Sequence, residues 1–176
     1  MRRLVGTTAL TVTLAGLFGH AALTSGQHDH GGGQAQGHQA AQACLIEFEK
    51  VVGEGRGFGM AFAADQNGYP GPMHVLELKD RLKLTADQDA KMRELMHAMF
   101  AESRPKSARL LEAEAKLRHL FAGRAADDAA LRTAVGEVER ARSEVRLVHL
   151  LTHLRTRDLL TEDQRRIYHE ARWGGR

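Results

Sequence analysis

Leu84-Thr85-Ala86-Asp87-Gln88 and Leu160-Thr161-Glu162-Asp163-Gln164 are two copies of one phrase, Leu-Thr-x-Asp-Gln, set 76 residues apart. Each reads as a helix start. The Thr hydroxyl accepts from the amide three residues on, and the Gln reaches back to the Thr amide. The Asp suits the positive end of the helix dipole. Between the two phrases the chain is charged and helical in character. Thr85 is expected to cap a helix running to about Ala122, with Gly123 as terminator. Its seam is Met92, Met96, Met99, Ser103, Leu110, Ala113, Leu117 and Leu120, close to a heptad pattern. Pro105 interrupts the run and is expected to kink or split the helix.

Asp127 or Asp128 can cap a second long helix reaching about Arg157, with Leu131, Val135, Val138, Val145 and Val148 as its apolar stripe. The stretch Leu147–Leu154 is apolar nearly all round and is expected to be the most enclosed part of the chain. Pro72 suits the first position of a shorter helix ending near Leu82, and Thr161 caps a last one reaching about Arg172. Short connections imply antiparallel neighbours. The expected fold is all-α: a long antiparallel helical hairpin with two shorter helices closing its open end. The 5% aromatic content and the lack of β-branched runs agree.

Arg2 and Arg3, the apolar run Leu4–Phe18 and the small residues Ala21–Ser25 predict a cleaved export signal over residues 1–25 and a periplasmic location. An uncleaved membrane anchor is the alternative. Of 25 Lys and Arg against 22 Asp and Glu, 23 and 22 remain without Arg2 and Arg3, which excludes a nucleic-acid role based on charge. Residues 26–71 read as a flexible His- and Gly-rich segment with short helical turns, disordered over Gln27–Gln42; residues 72–173 form the helical domain. Cys44 is the only cysteine, so no internal disulfide forms. No nucleophile-and-base pair, phosphate loop or paired catalytic carboxylates stand out, so an enzyme is not expected. Asp65 reads as solvated or ion-paired.

The candidate chemistry lies in the histidines. His149 and His153 are four apart, on one helix face, close enough to share a metal. Two partly buried, hydrogen-bonded imidazoles are the plain alternative. A hairpin turn near residue 125 sets His153 level with His97, and His149 level with Ala101. His74, in the first turn of the shorter helix, can approach the same end. Three or four nitrogen ligands suit zinc, copper, nickel or cobalt. Met96 and Met99 are softer candidates beside them, though core packing accounts for both. His28, His30 and His38 form a weaker tail site, and His119 and His169 read as surface residues.

The paired Leu-Thr-x-x-Gln phrases, the export signal and the hairpin resemble the LTXXQ-motif family, over roughly Pro72 to Trp173. That family holds the Spy and CpxP periplasmic chaperones and the CnrX and ZraP branch of metal sensors and metal-binding proteins. Leu147-Val148-His149-Leu150-Leu151-Thr152-His153 is similar to the CnrX-type segment, where a His is followed four residues later by a Met ligand. Here His153 stands in place of that Met. His74 matches the first of two family histidines ahead of the first motif, and Leu78 occupies the second place. The family's glutamate ligand falls near Met96 or His97. The resemblance implies a four-helix fold of the Spy/CpxP/CnrX kind and a periplasmic heavy-metal-binding or sensing protein; the candidate site in this chain is His74, His149 and His153, with His97 as a candidate fourth ligand. It also implies a homodimer and a membrane-bound signalling partner. The alternative it implies is an ATP-independent chaperone or envelope-stress adaptor for unfolded clients.

Overall fold

The computed structural model describes residues 31–174, with side chains from residue 37 onward. The stretch expected to be an export signal, His28 and His30 lie outside the described residues. The elements are α1 (Gly31–Gly53), α2 (Phe62–Asp65), α3 (Pro72–Glu77), α4 (Lys79–Leu82), α5 (Ala86–Ala122), α6 (Asp128–Asp158) and α7 (Glu162–Trp173). No strand occurs among the described residues. The antiparallel pair α5 and α6 forms the hairpin, and α3, α4 and α7 close its open end.

The long helices start where the capping residues stand. Thr85 and Thr161 each accept from the amide of their own Gln, at 3.1 and 3.2 Å, and Asp127 accepts from Ala130 at 2.7 Å. α5 runs unbroken through Pro105, so the proline does not split it. It ends at Ala122 with Gly123 as its cap, yet Gly123 keeps φ at −82°. The left-handed residue is Arg124, φ 53°, whose amide and that of Ala125 close on Phe121 and Leu120. The shorter helix expected over Pro72–Leu82 breaks at Leu78, φ −101° and ψ 14°, into α3 and α4.

Two corrections concern the N-terminal segment. Gln27–Gln42 was expected to be disordered, but from Gly31 onward the chain is helical without interruption to Gly53. After Gly33 the run Gln-Ala-Gln-Gly-His-Gln-Ala-Ala-Gln-Ala consists, Gly37 and His38 aside, of strong helix formers. Its residues 37–47 are exposed, so propensity and not packing accounts for that part of the helix. The packed body also begins before Pro72. Val52 is fully buried in one cluster with Leu110, Ala113, Val138 and Val145, and Phe48 lies against it. Ser103 on α5 donates to the Gly55 carbonyl at 2.7 Å, tying the loop after α1 to the hairpin. Gly55 sits at φ +84° with Ser103 and Arg104 within 2.8 Å of where a Cβ would stand, so glycine is required there.

A second cluster, Val75, Leu82, Met92, Leu160 and Tyr168, fills the open end. Beside it the two motif glutamines meet. Gln88 Nε2 donates to Gln164 Oε1 at 2.8 Å, and Gln164 Nε2 donates to Gln88 Oε1 at 3.0 Å. Gln88 also donates to the Leu159 carbonyl and Gln164 to that of Leu82, at 2.8 and 3.2 Å. Each Oε1 still accepts from its own Thr amide. The motif is thus a pair of capping boxes clamped to each other.

Gln88→Ala and Gln164→Ala should each cost about 1–3 kcal/mol, the sum of a lost cap and an unsatisfied amide. Because either change orphans the other glutamine, the double variant should fall short of additivity by about 1 kcal/mol in a urea-denaturation cycle.

Candidate metal centre

Between the two clusters α6 turns an unexpected face inward. Leu147–Leu154 is not uniformly enclosed. Val148, His149, Thr152 and His153 are buried, whereas Leu147, Leu151 and Leu154 are 56%, 39% and 42% exposed. A helix offers only one stripe to its partner, and residues three and four apart share it. Val145 places that stripe on His149, Thr152, His153 and Thr156, and the leucines face out. The two threonines satisfy themselves within the helix, donating to Val148 and Thr152 carbonyls at 2.8 and 2.9 Å.

The imidazoles are oriented from outside the hairpin. His153 Nδ1 lies 2.6 Å from the Tyr69 carbonyl. A carbonyl only accepts, so Nδ1 carries the proton and Nε2 keeps its lone pair. Tyr69 is held in turn by the Arg157 guanidinium, 4.8 Å over its ring. His149 has a backbone partner in Gly55, and its Nε2 is buried with no hydrogen-bond partner. Glycines make room for both rings. A Cβ on Gly71 would stand 2.9 Å from His153 Nε2, and one on Gly57 would stand 3.0 Å from the His149 ring. Backbone-anchored imidazoles with a free second nitrogen are what metal ligation uses.

His74 stands beside them in a different state. Its Nδ1 donates to Glu77 and its Nε2 accepts from Arg172, both at 3.0 Å. Arg172 on α7 also donates to Asp65 at 2.8 Å, and the Tyr168 hydroxyl donates to the other Asp65 oxygen at 2.5 Å. Asp65 is therefore a buried carboxylate, 3% exposed, and not a solvated one. Burial and the Asp65 carboxylate push the Tyr168 hydroxyl well above its ordinary range, so it remains a donor.

His74, His149, His153, Met73, Met99 and Arg172 line one cavity of about 260 Å³. Among the described residues no three His, Cys, Asp or Glu side chains form a metal-holding group by themselves. His97 is exposed and does not line the cavity. It lies roughly 200° around the helix from buried Met99, so sharing a level did not bring it to the same face. Of the two candidate methionines, Met99 lines the cavity and Met96 does not. His38, His119 and His169 are exposed. Thr85, Gln88, Thr161 and Gln164 are structural. Sequence reasoning missed Met73, Asp65, Gly71 and Arg172; only the adjacency of Met73 to His74 offered a signal.

The fold is an all-α hairpin with a pair of buried histidines near its open end. Residues 57–166 match the family described as heavy-metal resistance, and the chain belongs to that family. Its role accordingly lies in heavy-metal resistance or sensing. Comparisons with curated proteins and with solved structures found no match. No helix among the described residues is long and apolar enough to cross a membrane.

Burial holds His149 down to about 4, with a contribution from neighbouring His153 and against the Gly55 hydrogen bond. Burial also lowers His153, and the Tyr69 hydrogen bond and Asp65 oppose it, while His74 and Arg172 lower it further. Above pH ~6.5 the ring is neutral folded and unfolded alike. As pH falls toward 4 the unfolded chain gains a proton that the folded one refuses, so stability drops. The loss attributable to His149 should be on the order of 3 kcal/mol, and His149→Leu should flatten the stability-against-pH curve over that window.

Proposed function

We propose that this is a periplasmic protein that binds a transition metal through His149 and His153 and serves heavy-metal sensing or resistance, without enzymatic activity. One observation carries the reading. Two imidazoles one helical turn apart line one cavity, and neither Nε2 has a hydrogen-bond partner. At neutral pH a metal there meets no competing proton, because burial has already lowered both rings. The Arg2-Arg3 start and apolar run that follows support export.

His74 enters as a further ligand only when Arg172 releases its Nε2. Metal capture by all three histidines would therefore loosen α7 from α3 and couple occupancy to the shape of the open end. A membrane-bound partner or the second copy in a homodimer could read that change.

Metal at ~100 times its Kd should stabilise the chain by about 2.7 kcal/mol, a rise of roughly 5–10 °C in melting temperature for a chain of this size. Thermal melts with zinc or copper measure it. His149→Ala/His153→Ala should abolish the shift, and an undiminished shift in that variant would exclude the pair.

The outward leucines favour a second reading, as a chaperone for unfolded clients. Leu147, Leu151 and Leu154 form an apolar stripe open to a non-native chain. On that reading the protein suppresses aggregation of a heat-stressed client whether or not a chelator is present, and Leu147→Gln/Leu151→Gln weakens the effect. Absence of protection at several-fold molar excess would count against it.

A further inference from the structure

We infer that the cavity selects a soft, singly charged cation, copper(I) or its redox-inert analogue silver(I), with the thioethers of Met73 and Met99 completing the donor set of His149 and His153. The inference rests on the reading that the histidine pair binds metal, and adds which cation it takes.

The donors that remain available are all neutral. The cavity's one lining carboxylate, Asp65, has Oδ1 engaged by Tyr168 and Oδ2 by Arg172. His74 has both nitrogens engaged. What is left is two imidazole Nε2 atoms and two thioether sulfurs. Thioethers select soft cations such as copper(I), and imidazole accepts them too. The one oxygen side chain lining the cavity, Asp65, is already paired with Arg172 and Tyr168.

Charge points the same way. Arg56 and Arg172 line the cavity against Asp65, a formal surplus of one positive charge, although Arg56 also reaches out to Glu54 at 2.7 Å. Coulomb repulsion from that surplus is twice as large for a doubly charged cation as for a singly charged one. Phe58, Phe62 and Phe100 line the cavity as well, so little polar surface offsets the difference.

Both methionines line the same cavity as the histidine pair. Met99 is 7% exposed on α5, and Met73 lies in the first turn of α3, two residues after Gly71, whose backbone stands against the His153 ring. A methionine side chain is unbranched with three rotatable bonds, so its sulfur can adapt its position to a cation. No group of three His, Cys, Asp or Glu side chains exists among the described residues, and two sulfurs supply what that set lacks.

The test uses the mature chain carrying Cys44→Ser, which removes the exposed thiol that would itself capture soft cations. Copper(I), titrated without oxygen against a chromophoric chelator, is compared with zinc titrated the same way. Copper(I) should bind more tightly, with sulfur in the first coordination sphere by X-ray absorption. In Met73→Leu/Met99→Leu, a nearly volume-conserving change, the ratio of copper(I) to zinc affinity should fall by about tenfold or more and the sulfur signal should vanish. An unchanged ratio, or a sulfur-free copper spectrum in the parent chain, overturns the selectivity while leaving the histidine site intact. Binding of both cations that survives His149→Ala/His153→Ala overturns the site as well. If the methionine variant fails to fold, the sulfur signal of the parent chain alone decides.

Discussion

The glutamine clamp is the contact on which the other parts depend. A side-chain amide has one acceptor oxygen and two donor hydrogens. Gln88 and Gln164 spend all of them: each oxygen on its own helix start and on its twin, each nitrogen on its twin and on a carbonyl of the opposite segment. In a half-buried site such a network is stable only when every member is satisfied. The starts of α5 and α7, and the ends of α4 and α6, are thereby held at one point. Tyr168, Met92 and Leu82 pack beside it, and the turn that orients His153 reaches the hairpin next to that packed end.

The second constraint is the polarity of α6. A helix that buries two histidines and two threonines while exposing three leucines forgoes apolar burial at that level. The threonines cost little, since their hydroxyls return to their own backbone. The histidines are different: His149 leaves a nitrogen unsatisfied inside the protein. An orphaned buried acceptor carries a standing penalty of about 1–3 kcal/mol.

Much of this was legible in the sequence. Thr85, Asp127 and Thr161 marked helix starts because capping is local chemistry, readable within four residues. The spacing of His149 and His153 likewise needed only helical geometry. The rest depended on contacts across the chain. A Gln at the third helical position looks like a local cap, and nothing local shows that its amide also meets a twin 76 residues away. Asp65, beside Gln66-Asn67-Gly68, has the look of a turn residue, and its burial comes from Tyr168 and Arg172 over a hundred positions later. Met73 stands alone at the start of a short helix, without a periodic context to show its facing. His97 shares a level with His153, but it stands beside the Met96 seam and roughly 200° around α5 from Met99, and there it is exposed. The leucines of α6 dominated the apolar pattern and hid the stripe that Val145 and Val148 continue into the histidines.

The clamp also governs how the molecule can change in length. It joins the base of α5 to the base of α7, and the chain between them goes out along one arm and returns along the other. Residues added to one arm alone would push its side chains out of step with the partner, or tear the glutamines apart. Residues added to both arms in equal whole turns would lengthen the hairpin at its tip and leave the clamp and the cavity beneath it undisturbed. The tip is therefore the free end of the hairpin, where Phe121 already stands 59% exposed, and the base is the part held from both sides.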